Sequence, residues 1–369
     1  MNRVNSTSNS NKIPKVEYED IISGAGTLNK DISNKFDNRK GILFEPNMIL
    51  YGKLRPYLNN WLFADFSGIA LGDFWVFKAI DSVPKYIYYL IQSEKYQRVA
   101  NDTSGTKMPR SDWKLVANSQ FLISKNEEQS KIGNFFKTLD DTITLHHHKL
   151  ELLKQAKQGF LQQMFPKEGE NVPELRFANF STEWEQRKLG EVATIVGGGT
   201  PNTEISEYWN GEIDWYSPAE LGNQIYVSNS QRKITDLGLQ KSSATILPIG
   251  TVLFTSRAGI GNTAILEKEA ATNQGFQSII PLNGKLDTYF IYSKTNELKK
   301  YGEINGAGST FIEISGKQMK KMPLYLPEIN EQQAIGQFFK QIDDTITLYQ
   351  QKLTDLEVLK QAYLQKMFI

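Results

Sequence analysis

Residues 128–165 read EQSKIGNFFKTLDDTITLHHHKLELLKQAKQGFLQQMF, and residues 331–368 read EQQAIGQFFKQIDDTITLYQQKLTDLEVLKQAYLQKMF. At an offset of 331 − 128 = 203 the two align without a gap and agree at about 22 of 38 positions, which makes them an internal repeat. In the first copy Ile132, Phe136, Leu139, Ile143, His146, Leu150, Leu153, Lys157, Phe160 and Met164 fall alternately four and three residues apart. Ile335, Phe339, Ile342, Ile346, Tyr349, Leu353, Leu356, Lys360, Tyr363 and Met367 repeat the pattern. Such a heptad seam predicts two long helices, and the simplest partner of each is the other, in antiparallel pairing. Lys157 and Lys360 interrupt the seam at equivalent positions. Two readings stay open: a polar residue that fixes register, or splayed helix ends with each lysine reaching for water. At a rise of about 1.5 Å per residue each stretch extends on the order of 50 Å, the length of a spacer.

The offset continues upstream of the helices. Ile49-Leu-Tyr-Gly-Lys-Leu54, followed by Arg55, lies opposite Val252-Leu-Phe-Thr-Ser-Arg257, Gly72 opposite Gly275, Tyr86 opposite Tyr289 and Gly105 opposite Gly308. Short apolar runs between Gly, Pro and Asn predict strands at Ile42–Phe44, Met48–Tyr51, Phe74–Phe77, Thr251–Phe254, Thr263–Leu266 and Gln277–Ile280. Lys85–Ile91 and Asp287–Tyr292 read as short helices on those sheets, and Phe121–Ser124 and Met322–Pro327 lead into the long helices. Pro166–Pro173 has linker composition. The chain thus divides into a first variable region (1–125), a first spacer helix (126–165), a linker (166–180), a second variable region (181–328) and a second spacer helix (329–369). The expected fold class is α+β: two mixed α/β modules in tandem, each followed by a long helix, the helices paired as an antiparallel coiled coil about a pseudo-twofold axis. Residues 166–203 have no counterpart at this offset, so Trp184-Glu-Gln-Arg-Lys-Leu-Gly-Glu-Val192, the opening of the second module, is expected to be missing from the first.

Composition bounds the function. A chain of 369 residues with 11% aromatic content has material for two cores. It has no cysteine, so no disulfide, thiol nucleophile or Cys-ligated zinc. No apolar run reaches the roughly 18 residues of a membrane span, and MNRVNSTSNSNK lacks the apolar core of a secretory signal; a cytoplasmic setting is expected. A net charge of +1 means that any nucleic-acid surface must be basic locally.

Few residues invite catalysis. His146-His-His148 are spaced about 100° apart on a helix and do not converge on one ion, and the second copy has Tyr349-Gln-Gln351 there. Asp140-Asp141 and Asp343-Asp344 are carboxylate pairs without a base or ligand nearby, read as a solvated helix face or a cap at a helix break. Gly197-Gly-Gly-Thr-Pro201 lacks the Gly-Lys-Ser/Thr of a phosphate loop. The polar loops say more. Tyr51–Pro56 and Thr103–Ser111 in the first region, with Thr255–Gly261 and Gly306–Phe311 in the second, mix Gly, Ser and Thr with Lys and Arg at matching places. Glycine lets a backbone approach phosphate, hydroxyls bond its oxygens, and Arg or Lys reads guanine in the major groove. Lys53, Arg55, Thr106, Lys107, Arg110 and Ser111, with Ser256, Arg257, Ser309 and Thr310, are the candidate DNA-contacting residues.

The whole pattern resembles the specificity subunit of type I restriction–modification systems. The resemblance rests on Trp184–Val192, on Tyr51-Gly-Lys-Leu-Arg-Pro-Tyr-Leu58, and on the repeated EQ-xx-IG-x-FF…DDTI…KL…LQ-x-MF helix. It implies two target recognition domains, each reading one half of a split double-stranded DNA site, held on two helices that dock two modification (methyltransferase) subunits, with restriction (translocase) subunits joining. It also implies no catalysis and no cofactor in this chain, S-adenosylmethionine, ATP and Mg²⁺ belonging to the partners, and no membrane. Two other classes stay in view: a coiled-coil adaptor with two protein-binding heads, which sequence-dependent DNA binding would exclude, and a nuclease using Asp140 and Asp141, which cleavage of DNA by the isolated chain with Mg²⁺ would reveal.

Overall fold

The computed structural model describes residues 1–102, 107–222, 224–257, 259–308 and 312–368. It divides into two compact units, residues 1–150 with 349–369, and residues 151–348. The long helices are Asn126–Gln163 and Ile329–Met367. The division falls within both, so each unit contains one variable region, the N-terminal part of the helix that follows it, and the C-terminal part of the other helix.

In the first unit Asn2–Val4, Phe74–Lys78, Ile49–Gly52 and Trp61–Phe63 form an antiparallel sheet in that order, and Thr7–Ser8, Gly41–Phe44, Gly68–Ala70 and Lys15–Val16 form a second. In the second unit the main sheet runs Ala193–Gly197, Gln277–Pro281, Val252–Phe254, Thr263–Leu266, Tyr226–Val227. A three-stranded sheet lies around Trp209–Tyr216, and Glu185–Lys188 pairs with Pro323–Leu326. The main strands are buried along their length, which is why they read as continuous apolar runs instead of alternating ones.

The register corrects one expectation. Asn2 pairs with Lys78 and Val4 with Val76, as Ala193 pairs with Pro281 and Ile195 with Ile279. Asn2–Val4 is therefore the counterpart of Ala193–Gly197, at an offset of 193 − 2 = 191. The difference from the offset of the helices hid it from a gap-free comparison. Residues 193–197, without a counterpart at the offset of 203, thus have one at 191.

Within each unit the helix segments pack antiparallel. In the first, Phe135 meets Tyr363 (ring centroids 5.1 Å apart) while His146 meets Tyr349 (5.4 Å). In the second, Phe160 meets Phe338 at 5.0 Å. Leu139, Leu150, Met164 and Leu353 are buried, and Ile143, Leu153, Phe160, Ile342, Ile346, Leu356 and Tyr363 half-buried. Met367 departs from the seam and is exposed; Leu364 and Phe368 are buried in its place. The cause is the variable region itself, since Phe368 packs on Tyr86 (5.1 Å) and on Phe136 (5.9 Å). The linker is also less free than its composition implied. Arg176 bonds Glu331 through Nε (2.6 Å) and Nη2 (2.7 Å), and Phe177 packs on Phe338.

Candidate nucleic-acid interface

Three repeated residues fasten each variable region to its helix. Gln129 accepts a hydrogen bond from the Val83 N–H (2.9 Å), at the start of the short helix Pro84–Leu90, and donates to the Ser124 carbonyl (2.7 Å). Gln332 accepts from the Asp287 N–H (3.1 Å), at the start of Thr288–Ser293, and donates to the Pro327 carbonyl (2.9 Å). One turn on, a Cβ on Gly133 would sit 3.0 Å from Lys85 Cβ and the Tyr86 nitrogen, and one on Gly336 would collide with Asp287 Oδ1. Only glycine lets the helices approach so closely. Phe136 and Phe339 then fill the space behind, fully buried.

A second repeated group settles both seam lysines and corrects the reading of the aspartates. Lys157 Nζ lies 2.6 Å from Asp343 Oδ1, and Lys360 Nζ 2.7 Å from Asp140 Oδ1. The helices are unbroken there, so Asp140 and Asp343 are neither caps nor a solvated face. They point inward, while Asp141 and Asp344 point outward to Lys137 and Lys340, one helical turn earlier. A tyrosine from the short helix completes each pair: Tyr89 donates to Asp140 (2.9 Å) and Tyr289 to Asp343 (2.8 Å). Burial first, and the adjacent carboxylate second, push both hydroxyls far above the ordinary tyrosine range, so both remain donors. The sequence shows the aspartates and lysines as repeated, but only the antiparallel fold brings residues 157 and 343, and 140 and 360, together. His146 bonds the Thr142 carbonyl and His147 meets Glu357. Among the described residues no three metal-ligating side chains gather.

On these frames the polar loops occupy equivalent corners. The Ser111 N–H donates to the Lys53 carbonyl (2.8 Å), and at the repeat offset the Ile314 N–H donates to the Ser256 carbonyl (3.0 Å). The chemistry presented differs. In the first unit Arg110 Nη2 lies 3.0 Å and Lys53 Nζ 3.6 Å from the Asp73 carboxylate, so two cations share one anion. The Arg110 hydrogen bond holds Asp73 below the usual carboxylate range. Arg55 is exposed and in the left-handed region (φ 50°, ψ 61°), its N–H bonded to the Pro109 carbonyl. A non-glycine residue there costs about 1–3 kcal/mol, and such strain clusters at functional sites. Lys107 and Tyr57 are exposed beside these loops in sequence.

In the second unit Thr255 closes its loop, donating to the Gly259 carbonyl (2.6 Å) and accepting from the Asn262 N–H (2.9 Å). Gly259 and Gly261 have φ of 108° and 97°, a turn side chains disfavour. Arg257, half-buried, lies 3.8 Å from Glu313 and lines a cavity of about 500 Å³ with Ser217, Asn262 and Asn273 over Pro218 and Leu221. Asn262, Asn273 and Ser217 do not stand out in the sequence, because they come from three separate segments.

Two candidates turn inward. Ser256 is fully buried, and Ser111 is buried with its hydroxyl on the Ala100 carbonyl (2.7 Å). Both hold the corner by their backbones, as the paired hydrogen bonds above require, and neither offers a side chain to a ligand. Thr106, Ser309 and Thr310 lie outside the described residues.

Residues 181–358 match the family described as type I restriction modification DNA specificity domain. The chain is 38% identical over 186 residues to the type I restriction enzyme MjaIX specificity subunit of Methanocaldococcus jannaschii, covering 50% of this chain and 42% of that one. It is 28% identical over 177 residues to the EcoR124I/EcoR124II specificity subunit of Escherichia coli, covering 46% and 43%. The chain thus spans less than half the length of either relative. In fold it is similar to a type I restriction–modification S subunit from M. genitalium (TM-score 0.63, 14% identity, 98% of this chain and 90% of that one). It is also similar to an HsdS subunit from Thermoanaerobacter tengcongensis (TM-score 0.50, 20% identity, 99% and 94%). No helix among the described residues is long and apolar enough to cross a membrane. By its tandem modules, its repeated helices and these likenesses, the chain is similar to the type I restriction–modification specificity subunits.

Proposed function

We propose that the chain is the DNA-reading, non-catalytic subunit of a type I restriction–modification complex. Each unit would read one half of a split double-stranded site. The observation that carries this is the pair of corners at Lys53–Ser111 and Ser256–Ile314, built with the same backbone bond on the same helix frame and furnished with different side chains. A common frame with unlike contents suits two readers of unlike half-sites. In the first unit Arg55 and Arg110 have the form that reads guanine, with Lys53 and Lys107 as phosphate contacts. In the second, Arg257 suits guanine, while the amides of Asn262 and Asn273 match the N6/N7 edge of adenine. Modification subunits, two per chain, would dock on the outer faces of the long helices, and restriction subunits would join them. S-adenosylmethionine, ATP and Mg²⁺ would be bound by those partners, in the cytoplasm. With modules one helical turn of DNA apart and three to five base pairs read by each, the unread gap would be about five to eight base pairs.

The test is methylation mapping in cells that express the chain with its modification subunits. Replacing Arg55, Arg110 and Arg257 singly by Ala should each cost about 1–3 kcal/mol and relax one position if the residue reads a base; loss of a phosphate contact weakens all sites alike. Arg257→Ala should alter one half of the site and Arg55→Ala the other. An unchanged pattern and affinity in all three would overturn the assignment of these corners. Cleavage of DNA by the isolated chain would overturn the non-catalytic reading.

A further inference from the structure

The motif Gly197-Gly-Gly-Thr-Pro201 is not a phosphate loop, yet it organises a further group in the second unit. A Cβ on Gly198 would collide with the Asn273 carbonyl and one on Gly199 with Ser243 Oγ, so the loop threads between those segments as only glycine can. There the Gly199 carbonyl accepts the indole N–H of Trp215 (2.8 Å), and the Asn202 carbonyl that of Trp209 (3.1 Å). Six residues of a straight strand span about 20 Å. Within Trp209–Tyr216 the register instead shifts, Trp209 and Ile213 both lying opposite Ile234, with Asn210 in the left-handed region (φ 62°). The bulge folds Trp209 back until the two buried indoles meet edge to face, 5.2 Å between centroids.

Arg232 lies on this platform. It is the cross-strand partner of Trp215, and its guanidinium carbon sits 3.7 Å from the Trp209 ring centroid and 5.6 Å from that of Trp215. The residue is exposed, and among the described residues no carboxylate pairs with it and no acceptor takes its guanidinium N–H groups. Its neighbour Lys233 faces Asp214 (3.7 Å). Two links place Arg232 at the margin of the cavity that Arg257, Asn262 and Asn273 line. The Gln231 N–H donates to Glu220 (2.7 Å), in the turn Pro218–Glu220 of the cavity wall. Ser217, another wall residue, has extended backbone (φ −108°, ψ 156°) and follows Trp215 by two residues, on the same side of the chain. The first unit carries a different side chain there. Its strand Lys15–Val16 runs parallel to Gly68–Ala70 as Trp215–Tyr216 runs parallel to Ala271–Thr272, but Lys15 is fully buried with Nζ on the Ser10 carbonyl (2.5 Å).

We propose that Arg232 is a phosphate contact of the second unit, a guanidinium held on Trp209 so that its edge grips the DNA backbone at the margin of the cavity. A stacked guanidinium keeps its N–H donors at the rim, where two can engage two phosphate oxygens at once. The stack fixes the group in advance, so little side-chain freedom is lost on binding. Position selects phosphate over base. Base edges lie within the grooves of a duplex and phosphates outside them, so a cation on the rim of a cavity that takes base edges meets the backbone. With a net charge of only +1, attraction to DNA has to come from cations left unpaired in the right place, and Arg232 is such a cation. The inference rests on the DNA reading proposed above and adds a residue that serves the second half-site alone.

The experiment measures affinity against salt for the full chain assembled with its modification subunits, on a duplex carrying the mapped methylation site and on a random-sequence duplex. Arg232→Gln should make the slope of log affinity against log salt shallower by about 0.9, the counterion release of one phosphate, on both duplexes. It should leave the methylated sequence unchanged. Arg232→Lys keeps the charge and should keep the parent slope. Ethylation of single phosphates in the site duplex locates the contact: a phosphate beside the half that Arg257→Ala alters should interfere with the parent and not with Arg232→Gln. An unchanged slope in Arg232→Gln would make Arg232 a cover over Trp209 and overturn the proposal. So would Arg232→Lys with the slope of Arg232→Gln, since the effect would then come from the lost stack and not from the lost charge. Relaxation of one base position would make Arg232 a base reader and overturn it likewise. A parent complex that binds neither duplex would overturn the DNA reading itself, and this inference with it.

Discussion

The two ion pairs between the long helices occupy equivalent positions, yet they bury opposite partners. In the second unit the acid is inside: the Asp343 side chain is 5% exposed and Lys157 25%. In the first the base is inside: Lys360 is 10% exposed and Asp140 20%. The tyrosines differ too. Tyr289 aligns with Tyr86 at the repeat offset, but the hydroxyl on Asp140 comes from Tyr89, one helical turn later. Tyr86 is instead packed against Phe368, and the Tyr89 ring lies 6.0 Å from Lys360 Nζ. The same acid, base and phenol can thus be assembled in two ways, provided the charge most removed from water keeps its partner. A buried pair adds little beyond what apolar side chains would give, but losing one partner of it is expensive.

That asymmetry predicts a crossed pattern. Asp140→Ala leaves Tyr89 and the buried Lys360 without their acceptor and should destabilise the chain by about 3 kcal/mol; Asp343→Ala strands Lys157, which lies nearer water, and should cost about 1–2 kcal/mol. For the bases the order should reverse, Lys157→Ala exceeding Lys360→Ala, because removing Lys157 leaves Asp343, the more buried acid, without its cation. Urea unfolding of the four variants measures this, and an order that does not cross would mean that burial does not set the cost. A smaller effect should follow from replacing the whole group. Lys157→Met, Asp343→Leu and Tyr289→Phe together should recover stability to within about 1 kcal/mol of the parent, since no charge or hydroxyl is then left unpaired. If the triple variant is as unstable as Asp343→Ala, the group contributes more than mutual satisfaction.

The helices were legible because a seam that runs the whole length of each is a long periodic signal, and the short helices and most main strands because they are bounded by Gly, Pro and Asn. What the sequence could not show depends on contacts over large separations. Gln129, Gly133 and Phe136 stand in the quoted repeat, but their common purpose, fastening Pro84–Leu90 to the helix, needs residue 83 placed against residue 129. The inward aspect of Asp140 needs Lys360, which lies at the far end of the chain. Ser256 looked like a surface serine because Thr, Ser and Arg in a glycine-rich loop suggest ligand contact; its backbone bond to Ile314, invisible locally, turns the side chain inward. The second-unit cavity was missed for the same reason, with Ser217, Asn262 and Asn273 scattered among strands.

The smallest expected effect lies at the corners, where the units differ most. Asp73 gathers Arg110 and Lys53 in the first unit, while the aligned residue of the second is Phe276, fully buried. The Arg110 hydrogen bond lowers the Asp73 pKa in the folded chain. A carboxylate lowered on folding contributes stability that is present above its unfolded pKa of about 3.9 and disappears as pH falls through the lower folded value. The contribution should therefore be constant near neutrality and fade only in acid. Arg110→Ala should move the Asp73 titration upward, toward the ordinary range, without altering the second unit. Carboxyl NMR of Asp73 across the acid range reads this directly. The same variant should leave Lys53 as the remaining cation near Asp73, so the shift should be partial, and adding Lys53→Ala should complete it. A titration unmoved by either change would mean that neither cation is held at Asp73 in solution, and that both stand free in the corner where DNA is proposed to bind.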